Sequence, residues 1–348
     1  MNPGIAYALL AAALFGASTP FAKRLVGDVP PLMLAGLLYL GSGIGLSLML
    51  GLRKIFTRGE LAIAWPVMTD WGWLAGAIFF GGFLGPVLLM YGLAASSAAT
   101  ASLLLNFESV FTALVAWFIF RENFDRRIAL GMLLIVAGAV VLSWAPHVPE
   151  VARGSLLVVA ACACWAIDNN LTRKVSACDA MVIAGMKGLV AGAVSLTCAL
   201  QLGQALPPAA TTAAAALLGI LSYGVSLALF VLALRHLGAA RTGAYFAVAP
   251  FFGAVLAIGV AHETLTPQLA MAGVLMALGV YLHLTERHEH VHAHEALAHD
   301  HPHRHDEHHR HLHDFPWDGT EPHTHAHVHD VLVHRHPHFP DIHHRHEH

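Results

Sequence analysis

Charged residues are scarce in this sequence: Asp, Glu, Lys and Arg make up 12% of its 348 residues, against about 25% in an ordinary soluble protein. With 56% hydrophobic residues and a mean hydropathy of +0.60, a single soluble domain is excluded. Cysteine is sparse as well. The four present, Cys162, Cys164, Cys178 and Cys198, lie in or beside apolar segments, so they define no disulfide framework. The Cys162-x-Cys164 pair reads as small apolar packing. Catalytic motifs are missing too. His262-Glu263-Thr-Leu-Thr266 lacks the second His of a zinc protease, and neither Gly-x-Ser-x-Gly nor a GxxxxGK[ST] phosphate loop occurs. The expectation is a protein that is not an enzyme, requires no cofactor and does not draw on ATP through its own chain. Lys23 and Arg24 follow the first apolar run instead of preceding it, which reads as a retained first span and not a cleaved signal peptide.

Histidine is in excess, at 27 residues against 19 Lys+Arg. Only His147, His236 and His262 precede His283, which closes the last apolar segment. The region 287–348 holds 23 His, 5 Lys/Arg and 11 Asp/Glu, whereas residues 1–286 hold 14 Lys/Arg and 11 Asp/Glu. This split predicts a polytopic membrane protein with a polar, His-rich tail.

Ten apolar stretches of roughly membrane-crossing length run near 3–22, 31–51, 73–93, 97–120, 128–145, 154–172, 180–200, 213–234, 241–261 and 267–285. Glycines at four-residue spacing (Gly41/Gly45, Gly72/Gly76, Gly81/Gly85, Gly188/Gly192) predict close helix approach. If the N-terminus is cytoplasmic, the inner loops hold ten basic residues, Arg53, Lys54, Arg58, Arg121, Arg126, Arg127, Arg173, Lys174, Arg235 and Arg241. The outer loops hold Lys23, Arg24 and Arg153. The positive-inside rule then places both termini and the tail in the cytoplasm, in the cytoplasmic (inner) membrane.

The two halves repeat. Gly4 to Phe15-Gly16 aligns with Gly154 to Trp165-Ala166 at an offset of 150, Ala35-Gly36 and Gly43 with Ala184-Gly185 and Gly192 at 149, and Ala98-Ala99 and Glu122 with Ala239-Ala240 and Glu263 at 141. Five spans per repeat is an odd number, so the second copy enters from the opposite side, an inverted repeat of the transporter kind. The fold class expected is all-α: ten transmembrane helices as two inverted five-helix repeats, residues 1–145 and 146–286, followed by a disordered tail at 287–348.

Each repeat opens on a Gly and a small-residue-rich span. Each ends on a helix closed by an acid, Phe118-Ile-Phe-Arg-Glu122 and Val260-Ala-His-Glu263, before a Gly-rich last span. In this the sequence resembles the EamA-type branch of the drug/metabolite transporter superfamily over residues 3 to about 285. The resemblance implies two inverted five-helix bundles and export of small metabolites or drugs. Pro250 occupies the family's proline position in the second repeat, where the first repeat has Glu108-Ser109.

Within the spans stand three ionisable residues, Glu108, Asp168 and Lys187. A charge at a helix centre costs about 2.5–3.5 kcal/mol on insertion scales, so each calls for a partner, water or a proton. Asp168 and Lys187 fall at comparable depth on neighbouring spans and suit an ion pair, leaving Glu108 as the unpaired acid for a proton or a substrate amine. Asn106, Asn169, Ser18 and Thr19 cluster nearby by alignment, and Tyr223 and Tyr245 are candidate pore-facing aromatics. Glu122 and Glu263 are expected to satisfy helix termini.

The function these features predict is a secondary exporter of a small metabolite or drug, with the lipid bilayer and that small molecule as partners, a homodimer as one possible assembly and no nucleic acid. Two rivals stand beside it: a transition-metal exporter (Zn, Ni, Co or Cu) fed by the tail, and a membrane metal sensor or buffer that moves nothing. The tail's candidate metal ligands are His288, His290, His292, His294, His301, His303, His305, His323, His325, His327 and His329. Imidazole suits all four metals, and too few apolar residues accompany these histidines to offset the entropy of ordering, hence the expected disorder.

Overall fold

Inside a bilayer a backbone must satisfy its own hydrogen bonds, and the apolar stretches do so as helices. The structure, a computed structural model, describes residues 3–56, 65–120, 126–143, 149–175 and 178–284, with 288–294, 297–303, 323–329 and 332–338 in the tail. The chain divides into two units, Met1–Thr285 and Glu286–His348.

The first repeat holds α1 (Pro3–Val26), α2 (Pro31–Phe56), α3 (Trp71–Ala77), α4 (Gly85–Ala95), α5 (Ala98–Leu104), α6 (Phe107–Phe120) and α7 (Arg126–Ser143). The second holds α8 (Pro149–Lys174), α9 (Ala180–Gln201), α10 (Ala209–Gly219), α11 (Ser226–Phe246), α12 (Ala249–Gly259) and α13 (Pro267–Leu284). Seven helical stretches among the described residues are long and apolar enough to cross a membrane, and Ala129–Leu142, Ala249–Gly259 and Pro267–Leu282 are shorter apolar helices. α1, at 24 residues, is about 36 Å long at 1.5 Å per residue, more than the roughly 30 Å hydrocarbon core.

Two irregularities recur at equivalent places. A π-helical segment, Ile78–Leu84, joins α3 to α4, and another, Ile220–Val225, joins α10 to α11. The helix also breaks at Leu105–Asn106, between α5 and α6, and at Ala247–Val248, between α11 and α12. Both features repeat at an offset of 142 (Ile78 to Ile220, Leu105 to Ala247). The breaks have different causes. Pro250 lies in the first turn of α12, where it lacks an N–H for the preceding turn. In the first repeat Asn106 Nδ2 donates to the Leu103 carbonyl at 2.8 Å and Ser109 Oγ to the Asn106 carbonyl at 2.7 Å, local bonds that compete with the helical ladder. The second break corrects the sequence reading, which ended the eighth span at 234. α11 continues to Phe246, because nothing in Leu237-Gly-Ala-Ala240 is a strong helix stop and the proline lies further on.

Helix pairing is unchanged when the halves are exchanged: α1 packs on α11 and α12 as α8 packs on α4 and α6, while α2 pairs with α9 and α7 with α13. The α2–α9 crossing depends on glycine. A Cβ on Gly188 would lie 2.6 Å from the Gly43 nitrogen and 2.8 Å from the Tyr39 carbonyl oxygen, and one on Gly43 would lie 2.4 Å from the Leu189 nitrogen. Three of the four glycine pairs sit at such contacts; of the fourth, Gly72 has nothing within 4 Å of an added Cβ. Gly188→Val is therefore expected to destabilise by about 1–3 kcal/mol or more through overpacking, read as a lower melting temperature in detergent. Gly72→Val is the control and should leave it within about 0.5 kcal/mol of wild type, as surface substitutions do.

In the tail, β1 (His288–His294) pairs antiparallel with β4 (Leu332–His338), and β2 (Leu297–His303) with β3 (His323–His329). The tail's alternation has the period of a strand, and pairing lets strands bond their backbone groups to one another without a core.

Candidate functional site

The π-helical segment Ile78–Leu84 exposes a carbonyl to side chains from two other helices. Gly81 O accepts from Tyr39 Oη of α2 at 2.9 Å and from Trp165 Nε1 of α8 at 3.1 Å. One turn along α8, Asp168 takes both oxygens to Lys187 Nζ of α9, at 2.6 and 2.5 Å, and its Oδ1 also accepts from Thr172 Oγ1 at 2.9 Å. The ion pair expected from depth is thus formed, with Asp168 buried and the Lys187 side chain 16% exposed. Gly81 makes room for it, since a Cβ there would come within 1.9 Å of Asp168 Oδ2. Such π-turns recur at functional sites.

Glu108 stands in the first turn of α6, directly after the Leu105–Asn106 break. A helix N-terminus favours a carboxylate there. Glu108 does not stand alone as the sequence suggested: Asn169 Nδ2 donates to its Oε1 at 2.8 Å, from the residue next to Asp168. Glu108 is half-buried and Asn169 exposed, so this pair remains more open than the Asp168–Lys187 pair beside it. Cys162 Sγ lies 3.6 Å from the Leu104 carbonyl oxygen and 3.8 Å from that of Leu105, which also accepts from the Glu108 N–H at 3.1 Å.

Tyr39 connects this polar group to a run of aromatic rings. Tyr223, in the second π-helical segment, stands 5.5 Å from Tyr39 and 5.8 Å from Phe15, edge to face with the latter. Phe246, at the end of α11, stands 5.5 Å from Phe15 and 4.9 Å from Phe230. Both repeats thus contribute: α2, α6 and the first π-segment from one, α8, α9 and the second π-segment from the other. The comparisons with known proteins agree with this two-repeat construction. The EamA-like transporter family matches twice, over residues 2–144 and again over 152–285.

The chain belongs to the EamA-like transporter family.

An uncharacterized transporter of Methanothermobacter thermautotrophicus is 30% identical over 288 residues, 79% of this chain and 84% of that protein. The uncharacterized transporter YetK of Bacillus subtilis is 26% identical over 166 residues, 45% of this chain and 48% of its own. A probable 4-amino-4-deoxy-L-arabinose-phosphoundecaprenol flippase subunit, ArnE, of Pseudomonas fluorescens is 38% identical over 72 residues, 21% of this chain and 62% of its own. A solved protein crystal structure shares the fold, with a TM-score of 0.59 at 21% identity over 81% of this chain and 97% of that one. The protein is accordingly a multi-pass membrane protein of a small-molecule transporter family.

In this EamA-like chain the residues singled out by sequence divide into groups. Glu108, Asn169, Asp168 and Lys187 come together as described. Ser18 is buried and within hydrogen-bonding reach of Tyr223. Thr19 is buried beside it, and its Oγ1 has no partner among the described residues. Asn106 serves the helix break, with Met276 Sδ as its other neighbour at 4.0 Å. Tyr245 is half-buried and makes no hydrogen bond or ring contact among the described residues. Of the tail ligands, His305 lies outside the described residues, and the others occupy β1, β2 and β3. Tyr39 and Thr172 were missed by sequence reasoning, and Gly81 was read only as a helix-packing glycine. Thr172 was findable, four residues after Asp168 on the same helix face; Tyr39 carried no local signal.

Glu263 has the helix-terminus role expected of it. Its Oε1 accepts from the Ala98 N–H at 2.7 Å and its Oε2 from the Ala99 N–H at 2.8 Å, the N-terminal donors of α5, which a helix cannot satisfy itself. Lys23 Nζ caps the other side of the same turn through the Leu93 carbonyl at 2.7 Å, and an Arg24 guanidinium nitrogen reaches the Val260 carbonyl at 2.9 Å. The acid of the second repeat thus clamps a helix of the first. Its counterpart Glu122 lies outside the described residues. Glu263→Ala is expected to cost about 1–2 kcal/mol, the upper part of the cap range, measured as a shift in unfolding midpoint in detergent.

Proposed function

We propose that this EamA-like transporter is a secondary exporter of a small metabolite or drug, working by alternating access of ten transmembrane helices arranged as two inverted five-helix repeats. The observation that carries the reading is Glu108: an acid at the start of a half-helix, beside a helix break, bonded by an exposed Asn169 from the other repeat. Discontinuous helices at the interface of two repeats are where secondary transporters hold substrate and coupling ions. Glu108 and Asn169 would bind substrate or proton, with Tyr39, Tyr223 and Ser18 lining the way. The Asp168–Lys187 pair would hold α8 and α9 in place around them. Both termini are cytoplasmic and the membrane is the inner one in this reading, following the ten-to-three bias of loop cations.

Inside-out vesicles from overproducing cells, energised by a proton gradient and offered a panel of labelled amino acids, amines and organic cations, test the proposal. Uptake above that of vesicles lacking the protein, abolished by collapsing the gradient, is the expected result. Absence of any gradient-dependent uptake across the panel overturns it. The histidine-rich tail favours one second reading, a transition-metal exporter. Uptake of Zn²⁺ or Ni²⁺ by the same vesicles, with no organic substrate moved, would select that reading over the first.

A further inference from the structure

The tail unit takes no part in the small-molecule reading, yet its strand pairing adds something that composition alone does not contain. In the β1–β4 ladder His288 stands in register with His338, His290 with His336 and His292 with His334. In the β2–β3 ladder His299 stands in register with His327, His301 with His325 and His303 with His323. Twelve of the fourteen strand histidines are thus matched His against His. The match depends on register, because a slip of one residue would set every one of these histidines against a different residue type.

Residues in register across an antiparallel pair have Cβ atoms about 4.5–5.5 Å apart. Successive histidines at i and i+2 share a strand face, roughly 7 Å apart at about 3.4 Å per residue. Two histidines placed in register at this spacing are therefore close enough to share a single ion, which imidazole nitrogens bind at about 2.0–2.1 Å. Thiolate is absent, since the tail has no cysteine, and its 11 acidic residues against 5 Lys/Arg give an attracting field for cations. Nitrogen donors of this kind suit Zn²⁺, Ni²⁺ or Cu²⁺.

We propose that the two ladders are two separate chelating sites for a divalent transition metal, in which each cross-strand His pair acts as one ligating unit and neighbouring rungs complete the coordination. The metal would order the ladders further, since its binding free energy adds to that of folding. This inference does not rest on the exporter reading: a tail that binds metal while organic transport is unaffected satisfies both, and loss of either leaves the other standing.

Equilibrium dialysis of the full-length protein in detergent against Zn²⁺, with bound metal counted per chain, is the test. Wild type is expected to bind at least one ion per ladder. His292→Ala and His334→Ala should each weaken binding at the β1–β4 ladder by at least the roughly tenfold that loss of a supporting partner costs a metal site. Combining them should weaken it no further than either alone, because both break the same rung. His292→Ala combined with His325→Ala should instead weaken both ladders. No bound Zn²⁺ in the wild type overturns the proposal. So does a loss that grows with the number of histidines removed, regardless of which rung they belong to.

Discussion

Asp168→Asn is expected to reduce the yield of folded protein more than any other single substitution at the site. The asparagine keeps one oxygen for Lys187 but removes the counter-charge from an ammonium whose side chain is only 16% exposed. Breaking a buried pair by neutralising one partner costs about 3–5 kcal/mol, because a charge is left uncompensated. That is a large part of the roughly 5–15 kcal/mol by which folded proteins are stable. Replacing both partners removes the problem, so Asp168→Asn with Lys187→Met should recover most of the yield. The measurement is the monodisperse fraction after detergent extraction, compared across wild type, single and double variants. A single variant with wild-type yield, or a double variant no better than the single, would show that the pair does not hold the fold.

Glu108→Gln should have the opposite profile, a protein that folds and does not transport. The glutamine oxygen can still accept from Asn169 Nδ2, which now lies 2.8 Å from Oε1, so the contact between α6 and α8 is retained. What disappears is the negative charge and the ability to take a proton. A hydrogen bond to a charged group contributes about 1.5–3 kcal/mol, and each 1.4 kcal/mol is a factor of ten. Transport should therefore fall roughly ten- to hundredfold while melting temperature and yield stay at wild-type values. Initial rates in proteoliposomes, normalised to reconstituted protein, read the effect. A Glu108→Gln variant that transports as fast as wild type would remove this residue from the mechanism. The two variants also separate the roles of neighbouring acids: Asp168 should respond in yield and Glu108 in rate.

Sequence and structure each determined different parts of this picture, and the division has a physical basis. Composition, apolar run length and the repeat offsets are properties of the chain itself. They were enough for a helical membrane protein in two repeats, for a polar tail, and for family membership. The Asp168–Lys187 pair was also legible, because a charge in an apolar span needs a partner and depth along a span can be counted from its ends. The capping role of Glu263 was legible for a similar reason: an acid at a helix end has few other uses. Contacts that depend on which helix lies against which were not legible. Tyr39 reaches Gly81 only because α2 and α8 flank the same π-helical segment, and nothing local in either sequence marks the meeting. Glu108 looked unpaired because its partner, Asn169, comes from the other repeat, 61 residues away. The break in the first repeat was hidden for another reason. It is made by the Asn106 and Ser109 side chains bonding to nearby carbonyls, a choice both residues make only in certain surroundings, whereas Pro250 marks the second break in any context. In the tail, alternation supplied the strand period, but only the pairing of distant segments set histidine against histidine, since register belongs to two strands together and to neither alone.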